Sequence, residues 1–121
     1  MKKEKAVIFD FNNTLKDKKS GKPNKKIVKK ALKDEKKEHL IVLTGEPASK
    51  KKETEKWLRK QGLGKAELDV RSKDNHEPDN REKAHILDSH ISRQFKVVKA
   101  YDDKKANVKM FENHGIKAKR V

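Results

Sequence analysis

The fold is decided by residues 7–15, "VIFDFNNTL": an apolar run that ends on a carboxylate, followed by two amides, a threonine and a leucine. Val7, Ile8 and Phe9 lead straight into Asp10, the pattern of a buried strand that carries an acid to its C-terminal end. Two further apolar runs follow, "HLIVLTG" at 39–45 and "KVVKAYDD" at 96–103, and each also ends on polar, chemistry-bearing residues. These three runs predict strands at about 5–11, 39–44 and 96–101. "ELDVRS" (67–72) and "IKAKRV" (116–121) alternate apolar and charged residues, as strands nearer a sheet edge do.

Helical patterns fill the intervals. Ile27, Val28, Ala31 and Leu32 form one stripe within 24–37, after Pro23. In 47–61, Pro47 suits a first helical turn, Trp57 and Leu58 supply the apolar contact, and Gly62 supplies the stop. Ala84, Leu87 and Ile91 share a face within 79–93. Val108 and Phe111 do so within 104–114, before Gly115. Only 16–24 and 72–80 read as loose, and neither is long enough to form a lid domain. The expected architecture is α/β: a three-layer αβα, Rossmann-like domain with a five-stranded, mostly parallel sheet, a single domain over residues 1–121 and no cap.

Composition narrows the classes. With 31% hydrophobic and 44% charged residues the chain approaches the disordered range, but its apolar residues are concentrated in the strand runs, so a thin core is expected. The absence of cysteine excludes disulfides and thiolate metal sites. No apolar run approaches a membrane span, and the apolar segment near the N-terminus is too short for a signal peptide; a cytoplasmic protein is expected. The net charge of +15 favours a polyanionic partner. Lysine as the default surface residue is the plainer reading of the same number. The spacing of His85 and His90, five apart on one helix, places them on different faces, and none of the histidines is expected to bind metal. Trp57 reads as a core anchor rather than a platform for stacking bases.

In open parallel sheets ligands sit beyond the C-terminal ends of the strands. The first strand ends on Asp10, the second on Thr44-Gly45 and the fourth on Asp102-Asp103, while Lys83 lies on the helix before the fourth. Carboxylates at two strand ends suit Mg²⁺. Thr44 and Gly45 can hold phosphoryl oxygens, and Lys83 can offset the charge between an anionic nucleophile and an anionic phosphate. Asp10 is then placed to attack phosphorus.

These residues carry a resemblance. "VIFDFNNTL" resembles the first motif of the haloacid dehalogenase (HAD) superfamily, an Asp-x-Asp-x-Thr pattern after an apolar strand. "LIVLTG" resembles its second motif, Lys83 its third and "AYDD" its fourth, in order along nearly the whole chain. Trp57, Leu68, Arg71, "DNREK" and "FKVVKAYDDKKANVKMFENHGI" are similar to the 3′-phosphatase domain of polynucleotide kinase-phosphatases. The resemblance implies a Mg²⁺-dependent phosphatase that works through an aspartyl-phosphate. It implies Asp10 as nucleophile, Thr44, Gly45 and Lys83 as phosphate contacts, and a metal at Asp10, Asn12 (through its backbone carbonyl), Asp102 and Asp103. The absence of a cap and the basic charge together favour a phosphorylated nucleic-acid end as substrate.

Two residues depart from the pattern. Glu46 stands where the polynucleotide phosphatases often carry arginine, and a carboxylate there would repel phosphate. Asn12 stands where the superfamily has its general acid/base aspartate, and an amide can neither give nor take that proton. Asn13, where the family commonly has glycine, suits left-handed backbone. The alternative from another class is therefore a catalytically silent module that binds phosphorylated nucleic-acid ends. A signalling receiver shares the residue types, but in the reverse order along the chain.

Overall fold

The computed structural model describes residues 3–71 and 77–121. Five strands, β1 (Glu4–Phe9), β2 (His39–Pro47), β3 (Glu67–Arg71), β4 (Phe95–Asp102) and β5 (Lys117–Arg120), form one sheet in the order β3-β2-β1-β4-β5. Every pairing is parallel, so the sheet is parallel throughout its described strands. With β1 central and β2 and β4 beside it, the three strands expected to carry the chemistry are neighbours.

Side-chain alternation along β1 builds two cores. Val7 and Phe9 join Leu40, Val42, Leu58, Leu68 and Tyr101 on one face, under α1 (Lys25–Glu35) and α2 (Lys51–Lys60). Ala6 and Ile8 join Ile41, Leu43, Leu87, Ile91 and Phe111 on the other. That second face lies under α3 (Asp79–Ile86), the helical residues directly after it, and α5 (Lys105–Asn113). Phe9 and Tyr101 stack across the central pair with ring centroids 4.5 Å apart. No helix among the described residues is long and apolar enough to cross a membrane.

Three local departures from expectation have physical causes. β2 runs on to Pro47, which is extended (φ −69°, ψ 158°) and pairs with Arg71 instead of opening a helix; a 3₁₀ turn, Ala48–Lys50, then leads into α2. The pairing register slips between Leu43 and Pro47, which frees Thr44, Gly45 and Glu46 from a regular ladder. The helix expected over 79–93 is α-helical only to Ile86. It widens into a π-helical segment, Leu87–Ile91, and finishes as a three-residue turn, α4 (Ser92–Gln94). Leu87 and Ile91 are buried all the same, with Ala84 packed against them.

The segment 16–24 is tied down rather than loose. Lys16 bridges to Asn12 and Pro23, Asp17 accepts from Ser20 Oγ at 2.7 Å, and Trp57 Nε1 donates to the Gly21 carbonyl at 3.1 Å. The Trp57 ring meets Phe11 edge-on at 5.2 Å, the anchoring contact expected of it. Residues 72–76 of the second loose stretch lie outside the described residues.

Gly62 and Gly115 follow α2 and α5 at φ +81° and +76°, as helix stops do. Asn13, at φ +62°, is the one non-glycine residue with positive φ among the described residues, and its Oδ1 accepts from Lys18 N at 3.1 Å. A β-branched residue at that position should lower stability by about 1–2 kcal/mol. Urea unfolding is expected to show this loss for Asn13→Val and a smaller one for Asn13→Gly. Equal midpoints for the two variants would contradict it.

Candidate active site

Asp10 lies one residue past β1, but its amide still donates to Tyr101 O at 2.9 Å, so the sheet itself aims the side chain. Its two oxygens have separate partners: Oδ1 accepts from Lys83 Nζ at 2.8 Å and Oδ2 from Thr14 Oγ1 at 3.2 Å. The same ammonium donates to Asp102 Oδ2 at 2.8 Å and stands 3.5 Å from Asp79 Oδ2. Lys83 is 1% exposed, Asp102 1% and Asp10 6%, so this is a buried ion cluster rather than a surface one.

A second layer holds the cluster in place. Asn107 Nδ2 donates to Asp79 Oδ2 at 2.8 Å and to Asp102 Oδ2 at 3.1 Å. Lys104 N donates to Asp102 Oδ1 at 3.0 Å. Arg71 Nη2 lies 3.6 Å from Asp79 Oδ1. Gly45 explains its own residue type: a Cβ there would come within 2.0 Å of Asp79 Oδ1, an atom that the surrounding contacts do not leave free to swing away.

The electrostatics follow from one cation serving several anions. Burial, with Asp102 alongside, outweighs Lys83 and pushes the Asp10 carboxyl up to about 7. Burial alone would lower Lys83, but the carboxylates of Asp10, Asp102 and Asp79 outweigh it and hold the ammonium above the ordinary lysine range. For Asp79, burial is overcome by Lys83, the Asn107 amide, Lys104 and Arg71, which hold it below the usual carboxylate range.

An open cleft of about 350 Å³ sits over this cluster. Asp10, Asn12, Thr44, Gly45 and Asp103 line it, together with the cations Lys18, Lys50, Arg71 and Lys104. Thr44 Oγ1 accepts from Glu46 N at 3.2 Å, which leaves its own proton to donate into the cleft. The Glu46 carboxylate is tethered sideways, accepting from Thr54 Oγ1 at 2.9 Å. An arginine does reach the cleft, from β3 as Arg71 rather than from position 46.

The donor set fits a hard divalent cation. One oxygen each of Asp10, Asp102 and Asp103 lie within 4.8 Å of one another. Asp103 Oδ1 and Asn12 Oδ1 are shut off from solvent with no hydrogen-bond partner, and the ion pairs found for Asp10 and Asp102 are both with Lys83. All-oxygen donors and surplus negative charge suit an ion of the magnesium type.

The fold thus brings together every residue singled out from the sequence: Asp10, Asn12, Thr44, Gly45, Lys83, Asp102 and Asp103. Sequence reasoning missed Thr14, Asp79 and Asn107. Thr14 closes the motif that begins at Asp10. Asp79 could have been found from its i,i+4 spacing to Lys83 on α3. Asn107 carries no local signal, because its partners lie five and twenty-eight residues away.

The raised Asp10 value has a testable sign. Its folded value of about 7 exceeds the ordinary 3.8, so its contribution to stability is fully present below about 4 and is lost as pH rises towards 7. The depressed Asp79 acts in a separate window, below the ordinary carboxylate value. Asp69 on β3, also pushed up to about 7 by burial and by Glu67 beside it, acts in the same window, so urea unfolding in EDTA should show a fall in stability between these limits, part of which Asp10→Asn removes. A slope unchanged in that variant would contradict the assignment.

Comparison with known proteins agrees with this geometry. No curated protein matches the chain significantly in sequence. Its structure is similar to two chains from the "Pnkp1/Rnl/Hen1" RNA repair complex. One has a TM-score of 0.90 at 20% identity, over 98% of this chain and 42% of that one. The other has 0.88 at 21% identity, over 98% and 46%. The chain therefore spans less than half the length of these neighbours. A β-phosphoglucomutase candidate from Thermotoga maritima matches at TM-score 0.57 and 20% identity, over 93% of this chain and 82% of that one. A family profile described as "Polynucleotide kinase PNKP phosphatase domain" matches residues 2–121. The chain belongs to this family of the HAD superfamily, the polynucleotide kinase PNKP phosphatase domains.

Proposed function

We propose that residues 1–121 act in the cytoplasm as one Mg²⁺-dependent phosphatase domain that removes phosphate from nucleic-acid ends through an aspartyl-phosphate on Asp10, and that Asn12 slows its turnover. The observation that carries this reading is the Asp10–Lys83–Asp102 cluster under an open, cation-lined cleft. Mg²⁺ held by Asp10, Asp102, Asp103 and the backbone carbonyl of Asn12 would neutralise charge on the transferring phosphoryl group.

This chain's own residues do the rest. Thr14 and Lys83 hold the Asp10 carboxylate at both oxygens, so it meets phosphorus in one orientation. Thr44 and the backbone at Gly45 take phosphoryl oxygens, and Lys83 stabilises the charge that collects there. Asp10 forms a bond to phosphorus as the ester oxygen leaves. That oxygen needs a proton, and water must later lose one to cleave the aspartyl-phosphate. Asn12 can orient either group by hydrogen bonding but cannot carry the proton.

Two observations support a polynucleotide over a small metabolite. Among the described residues no cap covers the cleft, which is rimmed by Lys18, Lys50, Arg71 and Lys104, and the chain carries a net charge of +15. The similar chains named for an RNA repair complex fit the same substrate class. The second reading, a silent module that holds phosphorylated ends, rests on Asn12 alone.

Phosphate release from a 3′-phosphorylated oligonucleotide and from an aryl phosphate separates the two readings. With Mg²⁺, Asn12→Asp should raise the oligonucleotide rate by about 10²–10⁴. In the first turnover the gain on the aryl phosphate should be smaller, because its leaving group needs little protonation. EDTA or Asp10→Asn should abolish both activities. No release from either substrate, by the chain or by Asn12→Asp, would leave only the binding module.

A further inference from the structure

The outer edge of the sheet carries a second set of donors, separate from the cleft residues. Glu67 and Asp69 are two apart on β3, so their side chains leave the same face of the strand. The π-helical segment brings His90 against them: its Nε2 lies 3.6 Å from Glu67 Oε2 and 3.6 Å from Asp69 Oδ1. One donor atom from each of the three lies within 4.8 Å of the others. Glu67 Oε2 and Asp69 Oδ2 are closed to solvent and have no hydrogen-bond partner. His39, at the start of β2, stands behind Glu67 with its Nε2 3.9 Å from Oε1, and that nitrogen too is closed to solvent and unbonded.

The spacing of an ion pair, as in Arg71–Asp79 at 3.6 Å, also suits donors that share a metal ion. Direct hydrogen bonding draws nitrogen and oxygen to about 2.7–3.2 Å. Donors around a tetrahedral zinc ion, at metal distances of about 2.0–2.2 Å, stand roughly 3.3–3.6 Å from one another. Both His90 gaps fall at the second spacing. The π-helical segment matters here, because one inserted residue rotates every later side chain by roughly 100° about the helix axis.

We propose that Glu67, Asp69 and His90 form a zinc site at the sheet edge, with a fourth position open and His39 positioning Glu67. Imidazole beside carboxylates selects zinc over the magnesium suited to the all-oxygen cleft. Gln94, whose Nε2 lies 3.2 Å from His90 Nδ1, completes the arrangement: turning its amide over places Oε1 there to accept from Nδ1–H, leaving the Nε2 lone pair for the metal. The site would tie the helical cover to the strand whose last residue, Arg71, enters the cleft.

The test uses the whole chain stripped with EDTA and titrated with Zn²⁺ against a chromophoric chelator, with Co²⁺ as a spectroscopic probe. The chain and Asp103→Asn, which weakens cation binding in the cleft, should both retain a tight zinc. Co²⁺ should give the intense visible bands of a tetrahedral site. His90→Ala and Glu67→Gln should each weaken the zinc by about tenfold or more, with circular dichroism unchanged. Zinc binding equal to the parent in both variants, its loss in Asp103→Asn, or octahedral Co²⁺ spectra in the parent would overturn the proposal.

Discussion

The site depends on one buried ammonium. Lys83 donates to Asp10 and Asp102 at 2.8 Å each, with almost no access to water. Such a charge is stable in the interior only while its carboxylates stay close. The strand order meets that condition, because β1 and β4 are neighbours and end side by side. α3 approaches from the helical layer with Asp79 one turn before Lys83, and Asn107 on α5 joins Asp79 to Asp102. Sheet, helices and ion cluster therefore constrain one another.

The same arrangement sets the chemistry. Lys83 cannot neutralise Asp10 and Asp102 together, so the cluster carries surplus negative charge and suits a hard cation. Cations line the rim of the cleft above that acidic floor, where the proposed function has them draw phosphate, and the Glu46 carboxylate is held to one side by Thr54. Asn12 takes no part in the ion pairs of this framework, so in the proposed mechanism it bears on proton transfer alone.

The central strands were legible because β1 and β2 read as apolar runs and β4 as one interrupted only by Lys96 and Lys99. Asp10, Thr44 and Asp102 were legible as residues that end those runs, and the order of the motifs singled out Lys83 among many lysines. Pro47 misled, because its φ suits a helix start and an extended strand equally, and only pairing opposite Arg71 decides between them. The π-helical segment left no trace, since widening a helix by one residue changes no residue preference. His90 was therefore read only against His85 on a regular helix, and its approach to Glu67 and Asp69 had no signal in the sequence. Arg71 was visible only as part of a resemblance; its approach to the cleft depends on the end of β3.

The most direct measurement is the mass of the intact chain, acid-quenched during reaction with an aryl phosphate and Mg²⁺. In the proposed mechanism a good leaving group lets Asp10 take the phosphoryl group without help from Asn12, while water lacks the base it needs to remove it. The account predicts a chain heavier by one phosphoryl group, the added mass mapping to Asp10, and little such adduct in Asn12→Asp. No adduct on Asp10 under conditions in which Asn12→Asp turns the substrate over would contradict it.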